Sequence, residues 1–174
     1  MFFIINFLTA LALSLDAFSL SIIYGTIIRE KNKRLILAIS VGLFHFFMPL
    51  LGYLLGNIFV LNLIKNTNII SFIIFIFLGL EMFFNKDEEQ IISLTKATNI
   101  LLFAFTVSID SFSVGIVLSN KNILIPIMLF STVSFLFTFV GLVIGNKLDK
   151  LLGKYTTKLG GLILILLSFY YLFT

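Results

Sequence analysis

The chain has 174 residues, 60% of them hydrophobic and 11% charged, with a mean hydropathy of +1.16. Soluble domains carry roughly 25% charge, so this composition excludes a water-soluble globule and indicates an all-α integral membrane protein. With no cysteine and a single histidine, disulfides, thiolate metal sites and thiol catalysis are excluded, and the net charge of +4 sits in short loops rather than on a face suited to nucleic acid.

A helix needs about 20 mainly apolar residues to cross a hydrocarbon core of roughly 30 Å. The first such stretch covers 3–25 and carries Thr9, Ser14, Asp16 and Ser19. Met1-Phe2-Phe3 offers no positive region and no small-residue cleavage site follows, so this span is read as retained. The second, over 35–57, holds His45 and Pro49; a proline there frees the carbonyl one turn earlier, at His45 itself. The third, 68–84, is short, with Thr67-Asn68 before it, Asn85-Lys-Asp-Glu-Glu after it, and Glu81 about a turn from its end. The fourth, 98–119, is predicted as one helix carrying Thr106, Ser108, Asp110 and Ser113. The fifth covers 122–146 and the sixth 155–173.

The loops orient these spans. Arg29, Lys31, Lys33 and Arg34 follow the first, Lys86 and Lys96 the third, and Lys147, Lys150, Lys154 and Lys158 the fifth, whereas only Lys65 and Lys121 lie on the other side. The positive-inside rule then puts the odd-numbered connections in the cytoplasm and both termini outside, in a multi-pass protein of the cell membrane. The polar stretch 85–97 divides the chain into halves, 1–84 and 98–174.

The halves are repeats. Ser14-Leu-Asp16-Ala-Phe18-Ser19 recurs as Ser108-Ile-Asp110-Ser-Phe112-Ser113, and Gly52-Tyr-Leu-Leu-Gly56-Asn57 matches Gly141-Leu-Val-Ile-Gly145-Asn146. Three spans per half force the second half to enter from the opposite side, so the expected architecture is six transmembrane helices in two inverted-topology three-helix repeats within one domain. Inversion brings Asp16 and Asp110 together near mid-depth. A carboxylate at bilayer depth is costly and is kept where it faces a cavity, a partner or an ion.

On helical spacing, Ser19 and Thr9 share a face with Asp16, and Ser113 and Thr106 share one with Asp110. Two carboxylates flanked by these hydroxyls make a hard oxygen site that suits Mg²⁺, Mn²⁺ or Ca²⁺, with Ser14, Ser108 and Pro49 as accessory or gating residues. Two ionised carboxylates balance one divalent cation, and protons taking the metal's place would give metal/proton exchange. His45, whose counterpart in the other half is Ser134, reads as a ligand, a proton shuttle or a packing residue. Glu81 reads as an entry guard or an interfacial acid reaching headgroups. The Gly-x-x-x-Gly pairs allow close helix approach within a monomer or a homodimer. Without a P-loop or protease motif, the chain reads as a non-enzyme driven by an ion gradient, with no tightly bound cofactor.

The phrase Leu13-Ser-Leu-Asp16-Ala-Phe18-Ser19, with Gly42-Leu-Phe and Pro49-Leu-Leu-Gly52, Phe77-Leu-Gly79, Ser108-Ile-Asp110-Ser-Phe112-Ser113-Val-Gly115 and Lys158-Leu-Gly160-Gly161, resembles the MntP-type manganese efflux pumps of the LysE-like exporter group. The resemblance covers nearly the whole chain. It implies six spans and export of Mn²⁺ as substrate, with the paired acids, here Asp16 and Asp110, important for transport. Other readings of the residues are export of another small cation or a cationic amino acid, and a non-transporting membrane assembly or sporulation subunit.

Overall fold

In lipid each backbone N–H and C=O must find its partner within the segment, so a chain of long apolar runs has the helix as its available form. The computed structural model describes residues 2–63, 67–84, 94, 96–118, 122–145 and 150–173, all helix or short connection. The helices are α1 (Phe2–Ile27), α2 (Lys31–Leu63), α3 (Thr67–Phe84), α4 (Ala97–Val107), α5 (Ile109–Val117), α6 (Leu124–Ile144) and α7 (Lys150–Phe173). Among the described residues five segments are long and apolar enough to span a membrane, α4 and α5 counting together as one, and α3 adds a shorter apolar helix. Lys65, Lys86, Lys121 and Lys147, and the linker apart from Leu94, Lys96 and Ala97, lie outside the described residues.

The helices follow the predicted spans with one correction. The fourth span is not a single helix: it breaks at Ser108, whose φ of −103° and ψ of 2° leave the helical region. Pro49, by contrast, sits inside α2 without ending it.

Polarity is distributed inside out relative to a soluble protein. Phe47, Leu51, Phe77 and Leu166 stand exposed, whereas Ser14, Ser21, His45, Ser108, Ser111, Ser134 and Thr138 are buried. The extensive packing joins helices of the first half to helices of the second: α1 lies on α6 and α7, α2 on α4, α5 and α6, and α3 on α5 and α7. Glycines permit the closest of these approaches. A Cβ on Gly52 of α2 would run into the Phe112 carbonyl of α5, and one on Gly141 of α6 would stand 2.9 Å from the Phe18 carbonyl of α1.

Two apolar cores result. One joins Ala10, Ala12 and Leu13 to Phe75, Leu78, Val114, Val117, Phe130 and Leu164. The other joins Ala17 and Tyr24 to Leu37, Val41, Phe103, Val107 and Leu142. Along α1 the change from one core to the other falls at 14–16, along α4 and α5 at 108–113, and along α6 at Ser134, between Val133 and Phe135. The polar residues thus form a seam between two greasy halves.

Candidate functional site

Both intramembrane aspartates lie on this seam. Asp16 is half-buried in the unbroken middle of α1, and Asp110 is half-buried in the first turn of α5, immediately after the break. They come from helices of opposite halves, α1 and α5. Glu81, near the end of α3, is exposed and so lies at the surface of the bundle rather than in its interior.

The break that positions Asp110 has a local cause. The Ser111 hydroxyl donates to the Ser108 carbonyl at 2.5 Å, and the Ser111 amide donates both to that carbonyl, at 3.2 Å, and to the Asp110 carboxylate, at 2.6 Å. Ser108 in turn donates its amide to Phe105 rather than to a residue four back, at 3.1 Å. Such side-chain bonds give the backbone an alternative to the helical ladder. In the first copy of the phrase the residue matching Ser111 is Ala17, which has no hydroxyl, and α1 runs through without interruption. Sequence reasoning missed Ser111; the signal available was this single difference in hydrogen-bonding capacity between the two copies.

Buried polar junctions cross between the halves. Ser14 of α1 meets Ser134 of α6 at 3.0 Å while donating to the Ala10 carbonyl at 2.6 Å. Ser108 meets His45 Nδ1 of α2 at 2.8 Å while donating to the Ala104 carbonyl at 2.7 Å. Ser134 is the counterpart of His45 expected from the repeat, whereas the fully buried Thr138 was not singled out in the sequence, where it looks like an isolated hydroxyl in an apolar run.

The remaining predicted residues divide. Ser19 is buried on α1 and Ser113 half-buried on α5, each one turn from its aspartate. Thr9 is buried, with its hydroxyl turned back on the Ile5 carbonyl at 2.9 Å. Pro49 packs its backbone against Gly115, one turn beyond Ser111. Thr106 does not join the group: it is exposed, and its hydroxyl bonds the Leu102 carbonyl at 2.9 Å. Counting four residues back from Asp110 presumes an unbroken helix, and the turn at Ser108 removes that register.

Among the described residues no three His, Cys, Asp or Glu side chains converge to hold a metal ion. The seam holds two acids, with the hydroxyls of Ser19 and Ser113 one turn from them along the same helices.

A family model described as "Mntp: Putative manganese efflux pump" matches residues 28–172. A protein named "Putative manganese efflux pump MntP" from Methanosphaera stadtmanae is 36% identical over 169 residues, covering 93% of this chain and 94% of its own. Proteins of the same name from Bacillus mycoides and Geobacillus thermodenitrificans are each 33% identical, over 94% and 96% of this chain and 92% and 93% of theirs. No solved structure matches the chain significantly.

Proposed function

Since the chain belongs to the MntP family, whose members are named for manganese efflux, we propose that it exports Mn²⁺ across the cell membrane through a site between Asp16 and Asp110. The observation that carries this reading is that two acids, contributed by helices of opposite halves, both fall at the seam between two apolar cores. Charges at such depth are retained for ions and pathways. Carboxylate and hydroxyl oxygens match the preference of Mn²⁺, and Ser19 and Ser113 stand one turn from the acids to complete its shell.

The proposal includes the inverted repeat, with both termini outside. Two matched pairs of contacts support it. Gly52 against Phe112 and Gly141 against Phe18 are the same contact under exchange of the halves, as are Ser108 with His45 and Ser14 with Ser134. Rocking of one half against the other about this seam would open the aspartates to each side in turn, as in other inverted-repeat transporters. Charge balance supports proton exchange: two carboxylates that release a divalent cation away from bulk water would take up positive charge, which protons can supply.

The test is rescue of manganese-sensitive cells, paired with Mn²⁺ flux and internal pH in proteoliposomes. Wild type should rescue and should move protons against Mn²⁺, while Asp16→Asn and Asp110→Asn should each lose at least about tenfold in flux. Undiminished flux in both variants would remove the site, and Mn²⁺ flux indifferent to a pH gradient would remove the exchange.

A further inference from the structure

Two neighbouring spans cross the seam with their hydrogen-bond ladders interrupted. The fourth span breaks at Ser108, α4 giving Phe103 and Val107 to one core and α5 giving Val114 and Val117 to the other. α2 runs from Leu37 and Val41 in the first of these cores to Gly52 against Phe112 of α5, with Pro49 in between. A proline inside a helix has no amide for the carbonyl four residues back, here that of His45, so a rung of the ladder is missing there. The two interruptions are joined. Backbone atoms of Pro49 pack on Gly115, and His45 Nδ1 lies 2.8 Å from the Ser108 hydroxyl oxygen.

The pair that matches them in the repeat is built the other way. α1 and α6 also cross between the cores, α1 from Leu13 to Ala17 and α6 from Phe130 to Leu142. α1 is continuous from Phe2 to Ile27, and Pro126 of α6 stands in the first turn, where no rung is lost. Gly141 and Gly145 of α6 lie against the backbone of Phe18 and Ile22, and Ser14 meets Ser134 at 3.0 Å, so two unbroken helices are pressed together along the crossing. Helices bend at proline and at gaps in the ladder, and closures of a structure are absorbed at a few such residues.

We propose that α2 and the α4–α5 span bend together at Pro49 and Ser108 during transport, with the His45–Ser108 contact as the pin between them, while α1 and α6 stay rigid. This rests on the efflux reading above and assigns its movement to one pair of spans. Asp110, two residues past Ser108, travels with α5. Asp16 stays in the unbroken middle of α1. Bending therefore changes the spacing of the two acids, which couples opening of the seam to capture and release of the cation.

The chain has no cysteine, so single-molecule energy transfer between two introduced, labelled cysteines reads one distance at a time. Leu54→Cys on α2 beyond Pro49, with Leu101→Cys on α4 before Ser108, spans both interruptions; Ile4→Cys on α1 with Val143→Cys on α6 spans the rigid pair, and all four side chains are exposed. In proteoliposomes the first pair should show two distances whose populations shift on adding Mn²⁺, and the second a single distance throughout. Pro49→Ala, which returns an amide to the His45 carbonyl, should melt about 2–4 °C higher and keep its Mn²⁺-dependent stabilisation, while Mn²⁺ efflux slows at least about fivefold. A residue that served packing alone would not raise stability and lower turnover together. Two distances in the α1–α6 pair, a single unchanging distance in the α2–α4 pair of vesicles that still export Mn²⁺, or full-speed efflux by Pro49→Ala would each overturn the hinge and leave the efflux reading standing. Wild-type vesicles that export no Mn²⁺ would overturn both.

Discussion

Replacing Gly52 with alanine adds one methyl group where the structure has no room for it. The three atoms nearest to the new Cβ, the Phe112 carbonyl oxygen, the Phe112 carbonyl carbon and the Ile116 amide nitrogen, all belong to the backbone of α5. None can rotate aside as a side chain would, so α2 and α5 must separate. Overpacking of this kind costs about 1–3 kcal/mol where the surroundings adjust, and a purely backbone contact puts Gly52→Ala near 3 kcal/mol. For a chain of 150–250 residues each kcal/mol lowers the melting temperature by about 2–4 °C, which gives a loss of about 6–12 °C. Gly42→Ala is the control. Its Cβ meets the Phe135 Cβ at 3.0 Å and the Ser131 carbonyl at 3.2 Å, contacts that shifts of a few tenths of an ångström relieve. We expect about 1 kcal/mol or less there. Thermal unfolding in detergent, followed by tryptophan-free circular dichroism, reads both. Because Phe112 is two residues from Asp110, Gly52→Ala should also weaken Mn²⁺-dependent stabilisation. A Gly52→Ala protein that melts within about 2 °C of wild type would refute the close approach of α2 and α5.

Three further outcomes follow from the same geometry. Ser111→Ala should let the helical ladder close through Ser108; losing a competing bond of about 1 kcal/mol should slow hydrogen exchange at residues 105–111 by roughly fivefold, and Ala17→Ser should speed exchange at 11–17. A double-mutant cycle on Ser14→Ala and Ser134→Ala should return a coupling of about 0.6 kcal/mol in thermal or denaturant unfolding, the usual worth of an interhelical hydrogen bond in a membrane. Arg34 donates Nε to the Ile28 carbonyl at 2.7 Å and Nη2 to the Gly25 carbonyl at 3.2 Å, closing the end of α1. Arg34→Gln should lose about 2 kcal/mol, or about 4–8 °C on melting.

The sequence discloses the spans because an apolar run of sufficient length has one stable form in lipid, and it discloses Asp16 and Asp110 because a charge in such a run has no background to hide in. The discontinuity at Ser108 was not legible. It depends on one hydroxyl, at Ser111, adding to turn contacts that only exist once the backbone has left the helix. The exposed position of Thr106 was hidden for the same reason, since it was placed on a helical register that the turn interrupts. Helix pairing was also hidden. Phe47, Leu51 and Phe77 face outward, while Phe75, Phe103 and Phe130 face inward. Apolar residues thus lie on both sides, and periodicity does not say which face meets another helix. Small and polar residues carried that information: Gly52, Gly141, Ser134 and Ser108 mark the interfaces.

The packing of each helix of the first half on helices of the second has a bearing on how the molecule is made. As the ribosome delivers α1, α2 and α3 to the bilayer, their lasting neighbours have not yet been synthesised, and Ser14 waits without Ser134. The first half on its own would thus lack most of the packing partners that its helices have in the finished fold. Two fragments divided within 85–93 and produced together should find each other in the membrane, while the first fragment alone should be cleared by proteolysis.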